Sequence, residues 1–228
     1  TAGNITDVLM HPRWMMGVLA RYIVTTGMPR YQNYPTDVRA RITAGPMGRS
    51  SLRTDSLSWP DLQAMRKIWP HKLIIKGMLN AQDAAKAVDY GADGIIVSNH
   101  GGRNLDGIIS PIEALPEIAD AIGKRATVLV DSGFRRGSDV VKALALGAHA
   151  VQIGRATLYG IAAHGEPGAR RALDMFREEI GRVMALLGVN RIEELGPEYL
   201  LFTDNLLKPT PGRPGLKVVD GAKAAGEN

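Results

Sequence analysis

The 228 residues carry 28 Lys and Arg against 23 Asp and Glu, a net charge of +5, and include no cysteine. Without thiols there is no disulfide framework, thiolate zinc site, iron–sulfur ligation or Cys nucleophile. At 45% apolar and 22% charged residues the composition is that of a folded globular chain, and no run reaches the roughly 18 apolar residues of a membrane span.

The excess charge has one address. Residues 1–53 hold seven Arg against Asp7 and Asp37, whereas the remaining residues balance 21 basic groups against 21 acidic ones. A nucleic-acid-binding reading of the whole chain thereby loses its support. The sequence starts at Thr1 with no signal-peptide pattern, which leads us to expect a processed or truncated chain.

Residues 8–28 mix Val8, Leu9, Trp14, Met15, Val18, Leu19, Ile23 and Val24 with Arg13 and Arg21. Apolar and cationic groups with an interfacial Trp suit a helix lying on an anionic membrane. The competing reading is a helix packed on the rest of the fold. Residues 29–58, rich in Pro and Gly, are expected to form a mobile lid loop.

From Asp61 onward the pattern alternates helix and strand. Helices are predicted over Asp61–Trp69, Ala81–Tyr90, Pro111–Ile122, Ser138–Leu146 and about Gly168–Leu187, the last ending at Gly188. Asn80 and Gly91 are the expected caps of the second. Four continuous apolar runs, Leu73–Lys76, Gly94–Ser98, Thr127–Asp131 and Ala150–Ile153, predict parallel strands covered on both faces. A shift of 56 residues superposes Gly77 on Gly133, Asp83 on Asp139, Lys86 on Lys142 and Gly91 on Gly147. That repeat of two βα units favours a (β/α)8 barrel over a doubly wound sheet. Only four units are visible, so the expected fold is α/β, the C-terminal half of a TIM barrel behind an N-terminal helical and loop insertion. The expected organisation is 1–58 for the basic connection and lid, 59–203 for the half barrel with its site, and 204–228 for a tail. Four further units are expected on a segment outside this sequence.

The C-terminal ends of barrel strands carry the chemistry. Here they read Lys76, Ser98-Asn99-His100-Gly101-Gly102-Arg103, Asp131-Ser132-Gly133-Phe134-Arg135-Arg136-Gly137 and Gly154-Arg155. Gly133, Arg135, Gly154 and Arg155 suit a phosphate, aided by the start of the helix near Ser138, although Gly-rich turns also simply close βα loops. His100 suits proton transfer near neutral pH, and Arg103 suits a bidentate carboxylate clamp. Lys76 is either a surface lysine or a cation facing developing negative charge. Asp131 either binds a ligand hydroxyl or caps the next turn. His11, His71, His149 and His164 show no metal-ligand spacing.

In their order, the Lys76-Gly77, SNHGGR and DSGFRRG segments resemble the FMN-dependent 2-hydroxy-acid dehydrogenase and oxidase family. Within it, Trp69-Pro70-His71-Lys72 and His11-Pro12-Arg13-Trp14 are similar to the bacterial (S)-mandelate dehydrogenases. The resemblance covers about residues 1–203. It implies FMN as cofactor, a 2-hydroxy acid as substrate and a quinone-like acceptor, with peripheral attachment at the cytoplasmic face of a bacterial inner membrane. It implies that His100 is the general base, Arg103 binds the substrate carboxylate, Lys76 faces the flavin, Ser98 hydrogen-bonds it and Asp131 holds the ribityl chain. Gly133, Arg135, Gly154 and Arg155 would hold the phosphate, and Ser132 and Phe134 are counted with the cofactor-binding residues. The alternative within the family is an L-lactate dehydrogenase or a soluble 2-hydroxy-acid oxidase; outside enzymes it is a non-catalytic phosphate- or flavin-binding half barrel. A homo-oligomer is expected, activity is expected to need the other half, and hydride and carbanion routes both stay open.

Overall fold

The computed structural model describes residues 2–30, 41 and 57–201. The chain divides into two compact units, Thr1–Ile68 with Ile153–Arg177, and Trp69–Gln152 with Glu178–Asn228. The expected tail over 204–228, and most of the expected lid over 29–58, lie outside the described residues.

The first unit opens with α1 (Ala2–Met10) and α2 (Pro12–Trp14), a π-helical stretch over Met15–Ala20, and α3 (Arg21–Thr26). The expected helix over 8–28 is therefore present, broken at His11 and loosened by the π turns. Gly27, at φ 81°, ends it. Trp14 donates its indole N–H to the Ala162 carbonyl, so one side of this segment packs within its own unit. Met10, Met16 and Val24 stay exposed, the last at 85%. Among the described residues no helix is long and apolar enough to cross a membrane. α4 (Trp59–Ile68) follows, with Leu62 buried.

The second unit holds the sheet. β1 (Ile74–Met78), β2 (Gly94–Val97), β3 (Thr127–Val130) and β4 (Ala150–Val151) are parallel and lie in the order β1-β2-β3-β4. Between them run α5 (Ala81–Asp89), α6 (Pro111–Ile122) and α7 (Gly137–Ala145), and α8 (Arg155–Leu187) follows β4. Consecutive parallel order with a helix in each crossover is the arrangement of four successive βα units. All four residues of β2 are buried, as a strand covered on both faces must be. Ile95, Val97, Val128 and Val130 from the strands meet a core that includes Leu115, Ile118 and Ile122 of α6.

Local chemistry explains the boundaries. Asn80 caps α5 by accepting from the Gln82 and Asp83 N–H groups at 2.8 and 3.1 Å. Glu113 accepts from both the N–H and the hydroxyl of Ser110, and these bonds hold its carboxyl below the usual range. The internal repeat is visible in the backbone: Gly77 and Gly133 have φ 99° and 88°, and Gly91 and Gly147 have 94° and 101°. Each pair occupies a left-handed conformation that only glycine adopts cheaply.

Several boundaries differ from expectation. β4 ends at Val151, short of the expected Ile153. β1 runs past Lys76 to Met78, with a register shift between those residues. Gly77 in its left-handed conformation makes a bulge, so pairing continues after the strand is re-aimed. α8 starts at Arg155 rather than near Gly168. The Gly and Pro residues that read as a break do distort it, since His164 and Gly165 leave helical geometry, but the helix resumes. Gly160 and Gly168 approach there so closely that a Cβ on Gly168 would collide with the Gly160 carbonyl.

Candidate active site

Lys76, Ser98, His100, Arg103, Asp131, Ser132, Gly133, Phe134 and Arg135 all belong to the second unit, within or just beyond β1, β2 and β3. Ser98 is the buried polar residue of this group, at 2% exposure. Its hydroxyl accepts from the Lys76 ammonium at 2.9 Å and from the His100 N–H at 3.1 Å. Lys76 also forms an ion pair with Asp131. Two of the three ammonium protons are thus engaged inside the cluster, and one donor remains for a ligand.

Asp131 lies under opposed influences. Burial is the largest and raises its pKa, but hydrogen bonds from Lys76, Ser98 and Ser132, together with the Lys76 charge, outweigh it and hold the carboxyl below its usual value. The Ser132 hydroxyl donates to Asp131 Oδ1 at 2.7 Å and accepts from the Gly101 N–H at 2.9 Å. The cluster is therefore one network spanning three strand ends.

The segment after β2 turns tightly. Asn99 Oδ1 accepts from the N–H groups of Gly101 and Gly102, at 3.0 and 3.2 Å, and sets a short 3-10 turn over His100–Gly102. His100 itself has φ 57°, a left-handed conformation that is uncommon for a non-glycine residue. Its side chain is exposed, as is that of Arg103.

The segment after β3 is tied by two carboxylates. Asp139 accepts from the Arg135 and Arg136 N–H groups at 3.0 and 2.9 Å, and Glu179 of α8 accepts from Gly137 N–H at 2.7 Å and from Arg136 at 3.1 Å. These bonds surround the start of α7, the helix end expected to aid a phosphate site. Hydrogen bonds from Gly137 and Arg136 hold the Glu179 carboxyl below its usual range. Nothing in the sequence pointed to Glu179, which lies 42 residues from its partner; the cap made by Asn99 was also not singled out, although the Asn-x-Gly-Gly sequence it opens is a turn signal.

Gly133 remains as the open part of this loop: a Cβ added there would meet nothing within 4 Å. The Phe134 ring is 8% exposed and belongs to the core, leaving its main chain for any ligand. The Arg135 side chain is exposed. Gly154 and Arg155 begin α8 in the other unit, and Gly154 likewise has open space at its Cβ position. His149 has a structural task, its Nδ1 accepting from the Val128 N–H at 3.1 Å. A cavity of about 1160 Å³ in the first unit is lined by residues such as Trp14, Arg21, His164 and Pro167, none of them from the strand-end cluster.

A cation, two hydroxyls and an ionised carboxylate suit a polar ligand carrying both hydrogen-bond donors and acceptors, and the open glycine and exposed arginine beyond β3 suit an anionic group. An exposed imidazole and an exposed guanidinium three residues apart add a proton acceptor and a carboxylate clamp.

The sequence pattern of the FMN-dependent dehydrogenase family matches residues 1–201. The chain is 45% identical over 200 residues to a protein of Pseudomonas putida named (S)-mandelate dehydrogenase, covering 88% of this chain and 49% of that one. It is 44% identical over 201 residues to a protein of Azorhizobium caulinodans named L-lactate dehydrogenase, covering 87% and 52%. Among solved structures it matches the monotopic membrane protein (S)-mandelate dehydrogenase with TM-score 0.74 and 43% identity, over 88% of this chain and 52% of that one. A mandelate oxidase variant with a monooxide FMN adduct matches with TM-score 0.58 and 44% identity, over 60% and 44%. The chain spans about half the length of the curated relatives it matches. Its four βα units correspond to part of the TIM-barrel fold of these flavin dehydrogenases.

Proposed function

We infer that this chain, which belongs to the FMN-dependent dehydrogenase family, supplies the flavin-holding and proton-accepting strand ends of an enzyme that oxidises a 2-hydroxy acid to the 2-oxo acid. The observation that carries the reading is the three-strand network of Lys76, Ser98, Asp131 and Ser132 beside an exposed His100. FMN fits these residues. Lys76 and Ser98 would meet the polar edge of the ring, Asp131, held by the Ser132 hydroxyl, the ribityl hydroxyls, and Gly133, the main chain of Phe134 and Arg135 the phosphate. Gly154 and Arg155, in the other unit, keep their phosphate role on the sequence motif alone. When bound, FMN supplies the two-electron acceptor.

The chain's own residues supply the rest. Arg103 binds the substrate carboxylate and fixes its orientation. His100 Nε2 or Nδ1 accepts a proton from the substrate as its 2-carbon goes from the alcohol to the ketone level. Lys76 places positive charge where negative charge develops, and the Asp131 partner keeps the ammonium in place. The substrate is an (S)-2-hydroxy acid. Relatives named for mandelate and for L-lactate match at nearly equal identity, and mandelate is our choice because the WPHK and HPRW segments resemble the mandelate enzymes.

Residues 8–28 provide peripheral attachment to an anionic membrane surface, the cytoplasmic leaflet, from which a quinone-like acceptor takes the electrons. Exposed Leu9, Met10, Met16 and Val24 alongside Arg13 and Arg21 support this. The test is anaerobic mixing of the flavin-loaded protein with (S)-mandelate and with L-lactate. Flavin bleaching by either acid supports the reading, and the faster acid names the substrate. Wild-type bleaching rates in His100→Ala refute the assignment of the base. Peroxide release in air would indicate an oxidase instead.

A further inference from the structure

The two residues of the described chain that have positive φ without being glycine are His100, at 57°, and Ser132, at 76°. A non-glycine side chain in that region costs about 1 kcal/mol or more, so something must hold it there. Glycine would satisfy the backbone at position 132 more cheaply. A serine in its place implies that the hydroxyl is used.

The hydrogen bonds show where it is used. They form a closed ring. The Lys76 ammonium donates to Ser98 Oγ at 2.9 Å, and Ser98 Oγ accepts from the His100 N–H at 3.1 Å. One peptide further, the Gly101 N–H donates to Ser132 Oγ at 2.9 Å. Ser132 donates to Asp131 Oδ1 at 2.7 Å, and Asp131 pairs back to Lys76. The two N–H groups flanking the His100 Cα are thus each held by a serine hydroxyl, one on its own loop and one on the loop after β3. Asn99 shares the Gly101 N–H at 3.0 Å, but that contact is local to the turn. Ser132 supplies the link from the neighbouring strand end.

We propose that Ser132 is a positioning residue for His100: its hydroxyl ties the proton-accepting loop to the Asp131–Lys76 pair, so that the base and the cation facing the cofactor hold a fixed relation. The proposal rests on the reading of His100 as the base. Its chemistry is geometric. Removing the tie lets the His100–Gly102 turn relax toward ordinary backbone geometry, and a misplacement near 1 Å at a reacting group costs on the order of 100-fold in rate.

Ser132→Gly is the informative variant, because it removes the hydroxyl while relieving the backbone strain. The full chain carrying it is expected to be at least as heat-stable as wild type. Its amides at residues 100–102 are expected to exchange about fivefold faster, the loss of one neutral hydrogen bond. Flavin reduction by the 2-hydroxy acid is expected to slow at least about tenfold, with little change in KM. In a His100→Gln background the same substitution is expected to change the rate less than about twofold, since the group it positions is gone. A merely structural role would lower stability and would slow both backgrounds alike; that result overturns the proposal. Wild-type exchange at residues 100–102 in Ser132→Gly also overturns it. A wild-type protein that binds FMN but, even when supplied with the other half of the barrel, oxidises no 2-hydroxy acid refutes the proposed function instead, and amide exchange then decides the tie by itself.

Discussion

Gly137→Ala and Gly181→Ala make the same chemical change in the same unit and are expected to shift stability in opposite directions. Gly137 opens α7 against α8. A Cβ there would lie 2.4 Å from the Ile180 N, 2.5 Å from Glu179 Cβ and 2.6 Å from the Glu179 carbonyl carbon. Two of these three are backbone atoms, so no side-chain rotation relieves the clash. The helices must move apart by about 1 Å to restore ordinary contact, and the bond from Gly137 N–H to Glu179 is stretched with them. Overpacking of this kind costs about 1–3 kcal/mol. Gly181 lies inside α8 and a Cβ there meets nothing within 4 Å. Alanine gains about 0.5–1 kcal/mol over glycine at such a site. For a chain of this size each kcal/mol moves Tm by roughly 2–4 °C. Thermal unfolding followed by circular dichroism should show Gly137→Ala lower by about 2–12 °C and Gly181→Ala higher by about 1–4 °C. A Gly137→Ala protein as stable as wild type would refute the close approach of α7 and α8.

Asp131→Asn tests the electrostatics of the network. The folded carboxyl titrates below the ordinary value of 3.8, so its contribution is present above that value and is lost as pH falls through the lower, folded one. The gap in urea stability between wild type and Asp131→Asn should hold near neutral pH, at about 1 kcal/mol after screening of this partly exposed pair, and close under acid conditions; a gap that widens in acid contradicts the assignment. Arg103→Met should raise KM for the 2-hydroxy acid by about tenfold to a hundredfold, the worth of charge-assisted bonds to a carboxylate, while leaving FMN affinity unchanged; steady-state kinetics with a flavin titration checks both.

Much of this architecture was legible because its signals are local. The apolar runs of β2 and β3 needed no partner to be recognised, and Asn80 announced the start of α5 through its own side chain. The 56-residue repeat was legible because its glycines are demanded by backbone geometry, as the matching φ of Gly77 and Gly133 shows. What stayed hidden depends on residues distant in sequence. The bond from the start of α7 to Glu179 reaches across to another helix. The early start of α8 was masked by Gly165 and Pro167, which kink the helix without ending it. The strand-end residues could be named from their motifs, but the pairing of Lys76 with Asp131 and the tie from Ser132 to Gly101 appear only when three strands lie side by side.

The proposed hold of the strand ends on FMN, through Lys76, Asp131 and the Gly133–Arg135 arm, is open to test by quenching of flavin fluorescence on titration with the purified protein, with riboflavin as the comparison. Saturable binding of FMN is expected, with weaker binding of riboflavin because the phosphate is missing, and a loss of FMN affinity in Asp131→Ala. Equal binding of both flavins, or FMN affinity untouched by Asp131→Ala, would contradict it.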